Sequence, residues 1–455
     1  MKTSRILFAV PALLCSTALV CAADMPRQVQ YIDDAHPLFT LTGTIGAVVM
    51  DLPDGGGLFE GEGANDPNDL LLGGTIGLSG TAGVGEVLGG LQGFIGFNAF
   101  ATYAYGNYNK TSSFTGTGVI VMQGGAGPNL GSITISTSSD AGSGQAQLAA
   151  SNTSPQNLNI AVNAAAVSNT PPDAQDAPFV SPNGQSFIWG GVQTSVDAVS
   201  GSATAYAAIA DTNGGVFVAA GNLDGLTLTQ SYTTEAFYAG GDLTFGIAGQ
   251  NGTTSLQGYV GPSYRYLAQR NKMNASLSVD VPEYEDLVEF PTFTMSSSED
   301  LAAHYMGGVA GLQATIPVSD TSAITLGVEG GAYYTMASLD SSGTYTVFGG
   351  DLDTGAGVDD YDLQTVVADG ETYEADTIAF AARGTVAYTM AIAPQAQLTF
   401  SGSVDYLSAV AKPAVNASIS DDNTDVTYNS GGTNDRIAWG QMVNFSGSVS
   451  LTGQF

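Results

Sequence analysis

The chain has 455 residues with 42 acidic but only ten basic side chains, and its formal net charge of −32 excludes nucleic acid as a partner, because it repels a phosphate backbone. It is 44% hydrophobic yet only 11% charged, with 60 glycines and 17 prolines. No apolar run, the N-terminal one included, is long enough to cross a bilayer as a helix, so composition leaves a secreted all-β protein or a β-barrel.

The first element is a leader. Lys2 and Arg5 precede an uncharged apolar run from Ile6 to Val20, too short to span, and Cys21, Ala22 and Ala23 supply small residues for a signal peptidase. Residues 1–23 therefore read as a signal peptide cleaved after Ala23, which sends the chain through the secretory pathway. Cys21 could carry lipid instead, but Val20 is bulky for the position before a lipidated cysteine. Cys15 and Cys21 are the only cysteines, so a chain starting at Asp24 has no disulfide, thiolate metal site or cysteine nucleophile.

After the leader, stretches of alternating polarity recur, the period-2 pattern of strands with two different faces. They predict strands near 38–50, 70–80 and 90–105, then 233–249, 253–269, 300–318, 322–338, 377–392, 395–410 and 437–455. In the last of these Val443, Phe445, Val449, Leu451 and Phe455 oppose Asn444, Ser446, Ser448, Ser450 and Thr452. In the strand before it, Leu398, Phe400, Val404 and Tyr406 oppose Thr399, Ser401, Ser403 and Asp405. The connections alternate too. Asn251-Gly252, Ser319-Asp320-Thr321 and Ala393-Pro394-Gln395 are tight turns and 81–89 a looser one, whereas 51–69, 106–232, 270–299, 339–374 and 411–433 are long.

The organisation expected is N-terminal barrel strands in 24–105, a low-complexity extracellular insert in 106–232, and C-terminal barrel strands in 233–455. The insert is rich in Ser, Thr, Gly, Ala and Asn, and its middle, about 140–185, reads as poorly ordered. Strand-like runs at 114–122, 131–137, 187–196 and 203–220 form either a surface β-structure or, through one pair, part of the wall.

With this leader, this alternation of long and short connections, and a last strand closing on Val449, Leu451 and Phe455, the chain resembles the Gram-negative outer-membrane β-barrel proteins. The resemblance implies an antiparallel transmembrane β-barrel of about ten strands, twelve if the insert contributes a pair, with short periplasmic turns and long extracellular loops. It implies the outer membrane as location, outer-membrane lipids and lipopolysaccharide as surroundings, and Phe455 as a C-terminal signal for the barrel assembly machinery. Independently, backbone polar groups in hydrocarbon must all be paired, so a sheet crosses only if it closes on itself. Tyr103, Tyr105, Tyr264, Tyr266, Tyr334, Tyr406, Phe237 and Trp439 fall where the aromatic girdle of such a barrel belongs.

Alternation puts Asp242, Arg265, Glu329, Arg383 and Asp405 on the inward face. They form either a constriction that sorts solutes by charge or a set of salt bridges that fills a narrow lumen. A turn centred on Pro394 sets Arg383 opposite Asp405. The acidic loops suit divalent cations, and Asp351 and Asp353 carry a fragment of a calcium-loop spacing without the rest of an EF-hand. His36 and His304 are the only histidines, and no serine or second acidic pair at fixed spacing joins them, so no enzyme and no cofactor is expected. The function expected first is a passive pore for small hydrophilic solutes or ions with cation preference. The alternative is a non-conducting structural or surface-interaction barrel with acidic extracellular loops.

Overall fold

A computed structural model describes residues 39–53, 59–60, 70–129, 131–153, 157–167, 173–176, 179–181, 183–196, 200–279, 292–348, 364–370, 372–422, 424–430 and 436–455. Ten strands form the wall: β1 (Phe39–Asp51), β2 (Leu70–Leu88), β3 (Leu91–Ser113), β4 (Leu226–Asn251), β5 (Thr254–Val279), β6 (Thr292–Ser319), β7 (Ser322–Phe348), β8 (Thr372–Ala393), β9 (Ala396–Pro413) and β10 (Ile437–Gln454). Each pairs antiparallel with its neighbours in sequence, and β10 pairs with β1, so the sheet is a closed ring. Thr40 sits opposite Gln454, and Phe39 and Phe455 exchange backbone hydrogen bonds at 3.3 and 2.9 Å. Closure leaves no open edge within the wall.

The alternation read from the sequence is the alternation of the wall. On β6 Leu301, Ala303, Tyr305 and Val309 are buried inside, while Met306, Leu312, Ile316 and Val318 are exposed outside. Ile45, Ile76, Phe245, Val260, Val328, Ile378, Phe380 and Leu451 continue the same outward apolar surface on other strands. Tyr103, Tyr105, Phe237, Tyr264, Tyr334 and Tyr406 are exposed along its long-loop side. Trp439, expected among them, is half-buried and packs against a buried apolar cluster.

Several strands outrun their sequence-based bounds. β3 continues to Ser113, β4 starts at Leu226, and β6 and β7 reach 28 and 27 residues. A bilayer needs only about 9–11 residues of a tilted strand, so the wall stands well beyond the apolar band at its long-loop end. The turn expected over 81–89 is tight: β2 runs to Leu88 through two irregularities and reverses at Gly89-Gly90, both at positive φ (51° and 86°), as a two-residue hairpin requires.

The insert departs most from its reading. Thr117–Gly125, Ser186–Val196, Gly201–Asp211 and Gly214–Asn222 pair into one sheet, extended by Phe59–Glu60 from the first long loop. Gly131–Asp140, Ser143–Asn152 and Leu158–Val167 make a second sheet, joined by Ala417–Ile419 and Asp425–Asn429 from the last long loop. Two ten-residue strands, Ser143–Asn152 and Leu158–Val167, and two short ones, Asp173–Asp176 and Phe179–Val180, thus account for most of the described residues in the stretch 140–185 that reads as poorly ordered. Among the described residues the insert adds no further strand to the wall, although its two ends, 106–113 and 226–232, lengthen β3 and β4.

The two sheets pack face to face over Val119, Val121, Ile133, Ile135, Leu148, Ile160, Ile188, Ile209, Val216 and Val218. The other face of the first sheet, with Ile120, Met122, Phe187, Trp189 and Phe217, packs on the inward face of the upper wall, on Met273, Leu277, Phe293, Met295, Tyr345 and Val347. Phe217 stacks on Phe293 with ring centroids 5.6 Å apart. A sheet covered on both faces needs apolar residues at consecutive positions, which is why these strands read as unbroken runs such as Val216-Phe217-Val218-Ala219-Ala220.

Glycines set how closely the sandwich sits. Tyr345 of β7, fully buried, lies over Gly124 and Gly215, where a Cβ on Gly215 would come within 2.3 Å of the Tyr345 ring. Gly215→Val is therefore expected to push the sheet off the wall and expose the connections of the insert to protease. Gly384→Ala, in open space on β8, is expected to leave the digestion pattern unchanged.

Candidate functional site in the barrel lumen

The lumen is layered. Nearest the short turns it is lined by hydroxyls and amides in pairs: Thr42 with Thr452 at 2.8 Å, Thr44 with Ser450 at 2.6 Å, Thr315 with Thr325 at 3.1 Å, and Gln257 donating to Gln313 at 2.8 Å. These inward positions are the polar half of the strand alternation, and each partner sits on an adjacent strand.

The charged layer lies above. Asp242 on β4, Arg265 on β5, Glu329 on β7, Arg383 on β8 and Asp405 on β9 form one connected network. Arg265 Nη1 is 2.9 Å from Asp242, and Arg265 Nη2 is 3.9 Å from Glu329. Arg383 Nη1 donates to Glu329 at 3.2 Å, and its Nε donates to Asp405. Strand register makes the second half of this chain, since Glu329 is opposite Arg383 and Arg383 opposite Asp405.

Neighbours without charge complete it, and alternation alone gave no reason to single them out. Asn98 donates to Asp242 at 3.1 Å, Tyr259 to Glu329 at 2.8 Å and Ser403 to Asp405 at 3.1 Å, while the Arg265 guanidinium lies 5.0 Å from the Phe100 ring centroid. Three carboxylates against two guanidiniums leave a formal charge of −1. The side chains of Arg265, Asp242 and Glu329 are 3, 0 and 8% exposed. The free space beside them, bounded also by Tyr238, Leu407 and Met442, is a cavity of about 20 Å³, room for about one water.

Above the charges the lumen turns apolar, with Met50, Leu71, Leu267, Leu301, Tyr305, Leu339 and Val410 in a single cluster. A polar seam then joins wall to sandwich. The Gly125 N–H of the insert bonds the buried Glu299 carboxyl of β6, which Asn271 of β5 also contacts, and Ser341 Oγ of β7 accepts from Ala126 N at 3.2 Å. Asn213 donates to Tyr373 Oη at 3.1 Å. Arg436, fully buried, donates to the carbonyls of Ala126 (2.6 Å) and Pro128 (3.0 Å) and lies 5.7 Å from the Tyr373 ring centroid. Asp211 accepts from Asn129 N at 2.7 Å and Asn213 N at 2.9 Å, which fixes the loops facing the barrel.

His304 stands apart from the lumen. It is exposed on the outer face, where Tyr264 Oη and His304 Nδ1 are 2.7 Å apart and the Tyr266 ring is 5.0 Å away. Asp300, near it in sequence, is bonded by Arg270 at 2.6 Å. Asp351, Asp353 and His36 lie outside the described residues, and among the described residues no group of three metal-ligating side chains converges.

No family model matches the chain, and no curated protein matches it. Among solved structures it is similar to the outer membrane protease OmpT from Escherichia coli, at 12% identity over 75% of this chain and 97% of that one, with a TM-score of 0.26. It is also similar to a Pseudomonas aeruginosa FadL homologue, at 8% identity over 92% and 90% with a TM-score of 0.22. The translocator domain of the autotransporter NalP from Neisseria meningitidis aligns at 10% identity over 100% and 95%, again with a TM-score of 0.22. Superpositions this loose carry nothing over to the chemistry of this chain.

Proposed function

We propose that this chain is an outer-membrane β-barrel that acts as a non-conducting anchor, holding a β-sandwich over its outer end for contact with the cell's surroundings. The observation that carries the reading is the lumen: a charge network with about 20 Å³ of free space, an apolar layer above it, and a sandwich seated on the inward face of the upper wall. A passive cation pore, the function expected first from the sequence, needs a continuous aqueous path, and a ten-stranded barrel is narrow enough for its own side chains to fill.

The membrane half of the proposal is supported by the outward band. Large apolar side chains on every wall strand face outward, a surface far beyond what a water-soluble monomer exposes, and tyrosines line one border of it. Outer-membrane lipids and lipopolysaccharide are the contacts proposed for that band, and Phe455, 75% exposed beside the closing pair, is the residue proposed to be read by the assembly machinery.

Conductance in a planar bilayer tests the anchor, with heat-modifiable gel mobility as the control for folding. Folded protein that gives no discrete steps at high or low salt is the expected result. Cation-selective steps would restore the pore, and a chain that stays folded without detergent would remove the membrane from the proposal.

A further inference from the structure

The sandwich ends in an unguarded strand. Leu158–Val167 is the last strand of its sheet: it pairs with Ser143–Asn152 on one side, and among the described residues no strand pairs with the other. Its register is unbroken over ten residues, and it holds neither proline nor charge. Natural edges are ordinarily protected by lysine, proline, a bulge or shortness. Here Ala165 N donates to the Asp173 carboxylate at 3.1 Å, which shields that end. The same alternation turns the backbone groups of Asn159, Ala161 and Asn163 toward the open side.

Charge indicates what fits there. Between Lys110 and Asp173 the sequence carries one charged residue, Asp140, in a chain of net charge −32. Two copies repel one another over most of their surfaces and least at this edge, whereas a cationic partner would be drawn to the acidic loops instead. The edge is also complementary to itself. A two-fold axis through Ala161 sets Asn159 against Asn163 on the exposed face and Ile160 against Val162 on the buried face, and the overlap, Leu158 to Ala164, stops short of the Asp173 contact. That pairing makes about six backbone hydrogen bonds.

We propose that strand Leu158–Val167 is a homophilic docking edge, through which two copies of this chain join their five-stranded sheets antiparallel about Ala161. The proposal rests on the anchor reading only in requiring the sandwich to stand clear of the membrane.

The test uses full-length protein purified from membranes in detergent, with Cys15 and Cys21 replaced by serine and single cysteines added. Ala161→Cys is expected to cross-link with a short bismaleimide at least tenfold faster than Ala149→Cys, which is exposed on the adjacent inner strand. Ala161→Lys is expected to abolish the dimer seen by sedimentation while leaving heat-modifiable mobility unchanged. Equal cross-linking at both positions, or a wild-type chain that sediments as a monomer at every concentration, overturns the proposal, as does a dimer indifferent to Ala161→Lys. Maleimide labelling of Ala161→Cys on intact cells reads the anchor separately, since a sandwich held outside is labelled whether or not it dimerises.

Discussion

Arg265→Met is expected to destabilise the folded barrel by about 3–5 kcal/mol, because it removes the cation paired with the fully buried Asp242 carboxylate and leaves that charge in place. The temperature at which unboiled protein shifts from the folded to the unfolded gel band would fall accordingly. Arg265→Met combined with Asp242→Asn removes both charges and keeps most of the volume, and is expected to recover much of the loss. Arg383→Met should cost less. Its pair with Asp405 is 11 and 13% exposed rather than 3 and 0%, so water can solvate the carboxylate left behind, and Glu329 keeps its approach to Arg265 at 3.9 Å. A single Arg265→Met as stable as the double variant would show that the network fills space without holding charge.

The members of that network are legible in the sequence, and the reason is geometric. A strand period of two is unambiguous, so alternation alone sets Asp242, Arg265, Glu329, Arg383 and Asp405 on the inward face, and a tight turn at Pro394 fixes one pair by register. The order in which the five link around the ring depends on pairing between strands far apart in sequence, such as Arg265 with Glu329, which local pattern does not encode.

The sandwich was hidden for a different reason. Its inner strands, Ser186–Val196 and Gly201–Asp211, are buried on both faces and so lack alternation. Its outer strands set apolar residues against Asn, Ser, Gln and Ala, as in Leu158-Asn159-Ile160-Ala161-Val162-Asn163, and composition alone reads such a stretch as low complexity. Two of its strands come from the last long loop, nearly 300 residues away. The unbroken runs Gly214–Asn222 and Gly201–Asp211 were the available signal, since a strand apolar on consecutive residues must be covered twice, and only the barrel's upper wall could supply the second cover.

The seam between sandwich and wall carries the second large expected effect, an attachment that is firmer in acid than in base. Glu299 lies in the upper part of β6, above the outward aromatic border, and burial pushes its carboxyl from 4.5 up to about 8, with the Asn271 and Gly125 hydrogen bonds opposing the shift. Asp211 is raised from 3.8 to about 6 by burial, against bonds from Asn213, Asn129, Asn152 and Gly214. Tyr345, packed beside both, is held further toward its neutral form. A raised acid keeps in the folded state a proton that the unfolded chain has released, so its contribution is fully present below the unfolded pKa and is lost as pH rises through the folded one. Asp211 thus weakens the fold as pH rises between about 4 and 6, and Glu299 between about 4.5 and 8. Limited proteolysis of the folded protein from pH 5 to 9 should therefore cut the insert faster as pH rises, levelling off above pH 8. Glu299→Gln cannot ionise, and its profile should be flat from pH 6 to 8 with slower cutting than wild type at pH 8. A wild-type chain whose insert resists protease equally at pH 5 and pH 8 would mean that Glu299 reaches water when it ionises, and that the seam is not the closed joint its contacts describe.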